Sequence, residues 1–204
     1  MTVKTDKTID YFFATVSPWA YLGHARFVAM TRAAGATVRV KPMDLGEIFP
    51  VTGGLPLAKR APQRQAYRLV ELQRFSDHVG VPLIPQPAHF PVNGNAAALL
   101  IIAADEAAGA HAALGLAGRV GAAIWAEQRN VADLAVLRTL LAEAGLPASL
   151  ADRAGDPAIA ARYAAYTAEA LAAGVFGAPS YVVDGELFWG QDRLDFVQRR
   201  LARG

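Results

Sequence analysis

The 204 residues contain no cysteine. That absence excludes a disulfide, a thiolate metal ligand and a thiol nucleophile belonging to the chain itself, and it fits a reducing compartment. The four histidines, His24, His78, His89 and His111, show no close paired spacing, which leaves a zinc site without support. Basic blocks are missing as well: the longest clusters are Lys59-Arg60 and Arg199-Arg200, and 20 Lys plus Arg against 18 Asp plus Glu leave a formal charge of only +2. No nucleic-acid footprint is expected from that distribution. The most apolar run, Ala96 to Ala104, has nine residues and is too short to span a bilayer. The first twenty residues carry charges at Lys4, Asp6, Lys7 and Asp10 and lack the apolar core and cleavage site of a signal peptide, so a cytoplasmic protein without a membrane partner is expected. A serine nucleophile in a G-x-S-x-G setting is absent too.

What is present is a 53% hydrophobic composition, enough for a sizeable core. Ile9 to Phe13 is dense in β-branched and aromatic residues and predicts a buried strand. Ser17-Pro18 follows at once. Serine is a preferred N-cap and proline suits the first helical position, so the Ser17 hydroxyl is expected at the positive end of a helix, where an anion is favoured. That helix should run to about Ala34 and close at Gly35, and Thr37 to Lys41 then alternates like a half-buried strand. Together these form a βαβ unit with parallel strands. Leu45 to Pro62, with Pro50, Gly53, Gly54, Pro56 and Pro62, reads as a loop or a set of short turns.

The middle of the chain is strongly helical and rich in alanine. Helices are predicted over Gln63 to Val79, Asn95 to Ala107, Ala110 to Glu127, from the Asn130 to Asp133 cap to Ala144, and from Asp156-Pro157 to Ala173. A link with Pro82, Pro85, Pro87 and Pro91 separates the first two. The last thirty residues return to sheet: Ser180 to Val183 and Glu186 to Trp189 are strands around an Asp184-Gly185 hairpin turn, followed by a final helix through Arg203. The expected organisation is one domain from residues 1–62 and 174–204 and a helical insertion over 63–173, with a cleft where the two meet.

That order is the thioredoxin plan with an inserted helical block, and Gly177-Ala178-Pro179-Ser180 puts a proline where thioredoxin-like proteins keep a cis-proline. Several islands resemble the 2-hydroxychromene-2-carboxylate isomerase family, a branch related to kappa-class glutathione transferases and DsbA-type oxidoreductases: Ser17 to Leu22, Tyr67 to Leu83, Gly174 to Pro179 and Phe188 to Leu194. The fold this resemblance implies is an α/β, thioredoxin-like βαβ–ββα domain with an all-α insertion. Ser17-Pro18-Trp19-Ala20 stands where that superfamily has Cys-x-x-Cys, so disulfide chemistry is not expected, while a thiolate site at the helix N-terminus is.

The resemblance further implies glutathione as cofactor, with Ser17 hydrogen-bonding its sulfur as the catalytic residue. Ala178 and Pro179 would pair with its cysteinyl backbone, and Trp189, Gly190, Gln191 and Asp192 would receive its γ-glutamyl end. The second substrate would be a small aromatic carboxylate, with Lys59, Arg60, Arg64, His89 and Phe90 as its binding residues, and the protein a homodimer. A lysine that the resemblance implies near Glu47 to Phe49 has no counterpart. Two other readings stay open: a kappa-like glutathione transferase acting on other electrophiles, and a non-catalytic thioredoxin-like module that binds a peptide strand. Trp19, Tyr21, Trp125 and Trp189 read as core or cleft lining.

Overall fold

The computed structural model describes residues 7–203, so the first six residues of the expected 1–62 segment, including Lys4 and Asp6, and the final Gly204 lie outside it. A four-stranded sheet of order β2-β1-β3-β4 organises the chain, with β1 (Thr8–Phe13) at its centre. β2 (Thr37–Pro42) pairs with β1 in parallel, while β3 (Ser180–Val183) pairs with β1 and β4 (Glu186–Trp189) pairs with β3, both antiparallel. Alternation along β1 explains its central place. Ile9, Tyr11 and Phe13 enter the main core from one face, and Phe12 enters a smaller cluster with Met43, Ile48, Ala170 and Val175 from the other.

The predicted βαβ unit forms. Ser17 caps α1 (Pro18–Ala34) by accepting from the Ala20 N–H at 3.2 Å, Pro18 occupies the first helical position, and Gly35 closes the helix in the left-handed region at φ 60°. Leu22 and Phe27 of α1 are fully buried, and the Phe27 ring lies 4.5 Å from that of Tyr11. The C-terminal hairpin is as expected: Asp184 and Gly185 both have positive φ, which a two-residue type I′ turn requires.

Between β2 and β3 run α2 (Leu45–Thr52), a 3-10 turn at Leu57–Lys59, α3 (Pro62–Val79), α4 (Asn95–Ala108), α5 (Ala110–Trp125), α6 (Leu134–Glu143), α7 (Leu150–Arg153) and α8 (Pro157–Ala172). A second 3-10 turn, Gln191–Arg193, leads into α9 (Leu194–Ala202). Helix α5 packs along α1 where Gly121 leaves room: a Cβ there would come 2.9 Å from Cδ2 of Tyr21. Leu100 and Ile101 of α4 and Val120, Ile124 and Trp125 of α5 share one core cluster with Ile9 and Val40, so the inserted helices rest directly on the sheet layer.

Two expectations need correction. Leu45 to Pro62 is not only loop, because α2 forms within it: Asp44 caps it through the Gly46 N–H at 2.7 Å, and Gly53 closes it. Burial of Ile48 among Phe12 and Met43 offsets the backbone bond that Pro50 cannot make. The cap before α6 is Asp133, whose side chain accepts from the Ala135 N–H, while Asn130 makes its own turn to the Ala132 N–H.

Candidate active site

Where α1 begins, the chain from β1 turns outward and meets the segment before β3. Ser17 is 8% exposed, and its hydroxyl donates to the Ala178 carbonyl at 3.5 Å, a long bond that leaves the proton weakly held. The Ala178–Pro179 peptide is cis. Among the described residues nothing accepts from the Ala178 N–H, and nothing accepts from the Trp19 N–H in the first turn of α1. Ser17, Trp19 and Ala178 all line one cleft at a helix N-terminus, an arrangement that favours a partly buried anion. Trp189 closes this end. Its indole lies over Gly177, where an added Cβ would come 2.4 Å from Nε1, and its ring meets Phe176 edge-on at 4.8 Å between centroids.

These groups line a cleft of about 710 Å³ that also takes in Phe49 of α2, Leu55 and Leu57 of the following turn, and the start of α3. The opposite rim is basic. Arg60, Arg64 and Arg68 all line the cleft, and among the described residues no carboxylate does. None of the three forms an ion pair among the described residues. Arg60 donates from Nε to the Leu55 carbonyl at 2.8 Å. Burial, and then the neighbouring Arg64, lower its pKa. Arg68 is pushed down to about 10, by burial first and then by the charge of Arg60. The field that these arginines leave unanswered among the described residues suits an anionic ligand.

The structure brings together Ser17, Ala178, Trp189, Arg60, Arg64 and Phe90 around this one cleft. Pro179 sits directly behind, its carbonyl accepting from the Gly190 N–H at 2.9 Å, so the two ends of the expected cofactor segment are tied to each other. Lys59 and His89 are exposed and do not line the cleft. Gly190, Gln191 and Asp192 do not line it either. The Gln191 side chain is 1% exposed, and its Cβ lies where a side chain on Gly23 of α1 would have to go. Its Oε1 receives Nη1 of Arg26 at 3.5 Å. Asp192 is ion-paired with Arg193.

Arg68 and Phe49 were not singled out from the sequence. A signal existed for the arginine: Arg64 and Arg68 are four apart on α3, so they share a face, and like charges at that spacing destabilise a helix unless something answers them. Phe49 was hidden by the reading of its segment as loop.

The profile of the DSBA-like thioredoxin domain family matches residues 8–202. A 2-hydroxychromene-2-carboxylate isomerase from Sphingobium xenophagum is 31% identical over 201 residues, covering 96% of this chain and 98% of the relative. The chain belongs to this isomerase family within the DSBA-like thioredoxin domains. A solved structure of 2-hydroxychromene-2-carboxylate isomerase superposes with a TM-score of 0.83 at 26% identity, covering 96% of this chain and 95% of that one. The cytosolic disulfide reductase DsbM from Pseudomonas aeruginosa with GSH shares the fold, with a TM-score of 0.68 at 19% identity over 96% and 99% of the two chains. The family members thus share a frame in which this chain has serine at the head of α1 and no cysteine of its own.

Proposed function

We propose that this protein isomerises 2-hydroxychromene-2-carboxylate, or an aromatic carboxylate close to it, to the open-chain benzylidenepyruvate, and that it does so with glutathione. The observation that carries the reading is the joint placement, on one wall of a cleft whose other wall is basic, of a weakly held Ser17 hydroxyl and of the Trp19 and Ala178 N–H groups, which have no acceptor among the described residues. Glutathione fits the first wall. An extended tripeptide can add to the Ala178 edge as a short strand, which brings a central cysteinyl side chain toward the start of α1. When bound, glutathione would supply the thiol nucleophile that the chain lacks.

The rest of the chemistry belongs to the protein's own groups. Ser17 would donate a hydrogen bond to the sulfur and, with the α1 N-terminus, favour its ionised form. The serine is a donor here and not an attacking oxygen. Arg60 and Arg64 would hold the substrate carboxylate on the opposite rim and so fix the ring system between the two walls. Phe49, Leu55 and Leu57 would exclude water from the reacting carbons.

The test is turnover of 2-hydroxychromene-2-carboxylate with and without glutathione, following both product and free thiol. Formation of the open-chain product only when glutathione is present, with the thiol titre unchanged, is the expected result. Steady loss of free thiol would mean a transferase, and absence of turnover with glutathione bound would overturn the reading.

A further inference from the structure

Beside the main cleft lies a second cavity of about 250 Å³, between α3 and the proline-rich link. Its lining is mainly apolar in area, with Gln65, Ala66, Leu69, Pro85 and Gln86 on its own side, and four residues, Leu57, Arg68, Phe90 and Pro91, line both cavities. The two spaces therefore adjoin along these four residues. For scale, an apolar cavity of about 150 Å³ suffices to bind benzene. The annex is larger than one ring needs.

Arg68 stands in the shared layer in an unusual setting. Its guanidinium lies 5.4 Å from the centroid of Phe90 and 5.8 Å from that of Trp125, and no carboxylate answers it among the described residues. Trp125 is fully buried, and Phe90 packs on it at 4.7 Å between centroids. A planar cation packed among rings can take a further ring on its flat face. Arg64 is more exposed than Arg68, so an anion held there loses less hydration.

We infer that the annex is the arene subsite of the second substrate, with Arg68 as the cation against which the substrate's outer aromatic ring stacks, while Arg60 and Arg64 take its carboxylate. This rests on the reading of the substrate as an aromatic carboxylate. It adds a size preference: the annex admits a second fused ring beyond the one a two-ring substrate would place there. Arg68 is then a specificity-determining residue and not a carboxylate ligand.

The experiment is equilibrium binding of unreactive probes to the full chain by calorimetry: benzoate, 2-naphthoate, anthracene-2-carboxylate and decalin-2-carboxylate, the saturated counterpart of naphthoate. Wild type is expected to bind naphthoate at least about fivefold more tightly than decalin carboxylate, the range of a partly desolvated cation–π contact. Arg68→Met should erase that preference, Arg68→Lys should keep part of it, and Arg64→Ala should weaken both probes by the same factor. Ala66→Leu, a change that a helix tolerates, should narrow the annex and weaken anthracene carboxylate more than benzoate. Retention of the arene preference in Arg68→Met, or equal losses for benzoate and anthracene carboxylate in Ala66→Leu, would overturn the assignment. Because no turnover is involved, a chain that shows the preference yet fails to isomerise chromene carboxylate refutes the proposed function and leaves the subsite standing.

Discussion

The two walls of the cleft are built from different materials. The Ser17 wall is made of backbone and short groups: a capped helix start, the Ala178 peptide group and an indole laid over a glycine. The opposite wall is made of long side chains, three arginines and Phe49, carried by α2, a 3-10 turn and α3. Backbone groups held by a sheet and a helix start have few alternatives, whereas long side chains can change identity and reach without disturbing the core. The difference teaches that one wall recognises through backbone groups that substitution hardly alters and the other through side chains that it readily does.

The strongest way to break that comparison is at Ser17. Ser17→Ala should lower glutathione-dependent turnover by about 100-fold, as loss of one well-placed donor to a reacting anion does, while glutathione affinity falls much less. The same change removes an N-cap worth about 1 kcal/mol. Ser17→Gly separates the two effects, because glycine caps nearly as well but has no hydroxyl; steady-state kinetics beside a thermal melt should show lost activity with nearly unchanged stability. Recovery of turnover in Ser17→Gly would assign the loss to the cap instead.

At Gly177 the Ser17 wall can be disturbed without touching the serine. Gly177→Ala would drive a Cβ into the Trp189 indole, which is half-exposed and can swing aside, so the expected cost is in binding more than in folding. Glutathione affinity should fall about tenfold by calorimetry, the loss of a ring contact and its positioning. Arg64→Ala probes the other wall: the KM for an aromatic carboxylate should rise about tenfold, as for a removed charge-assisted hydrogen bond, with glutathione affinity unchanged. A parallel loss of glutathione binding would show that the walls are not separate.

The smallest expected effect concerns the support of α1. His24 is buried, with Nε2 2.9 Å from the Leu114 carbonyl of α5, and burial lowers its pKa below the ordinary 6.5. The folded state thus favours the neutral ring. Its contribution to stability is complete above pH 6.5 and is lost as the pH falls from 6.5 toward the lower folded value. Thermal melts between pH 7 and pH 5 should show a decline that is shallower in His24→Gln.

Much of the fold was legible because it rests on local signals. Ser17-Pro18, Gly35 and Asp184-Gly185 each specify a cap or turn within a few residues, and all behave as their chemistry requires. The loop after β2 misled because Pro50 and two glycines suggest irregular chain, while the burial of Ile48 against Phe12, 36 positions earlier, decides for a helix. Asn130 and Asp133 offered two caps, and only the path of the chain into α6 selects between them.

The sequence by itself determined that this protein has no thiol, that a serine heads its first helix, and that strands from its two ends enclose a helical block, since these follow from composition, caps and periodicity. Tertiary structure alone decided which distant groups meet. Ala178 comes to Ser17 across 161 positions because β3 pairs with β1. Gln191 is drawn under α1 by the space at Gly23. Arg60, Arg64 and Arg68 become one patch because the 3-10 turn and α3 are laid along the cleft, where none of them meets a carboxylate among the described residues.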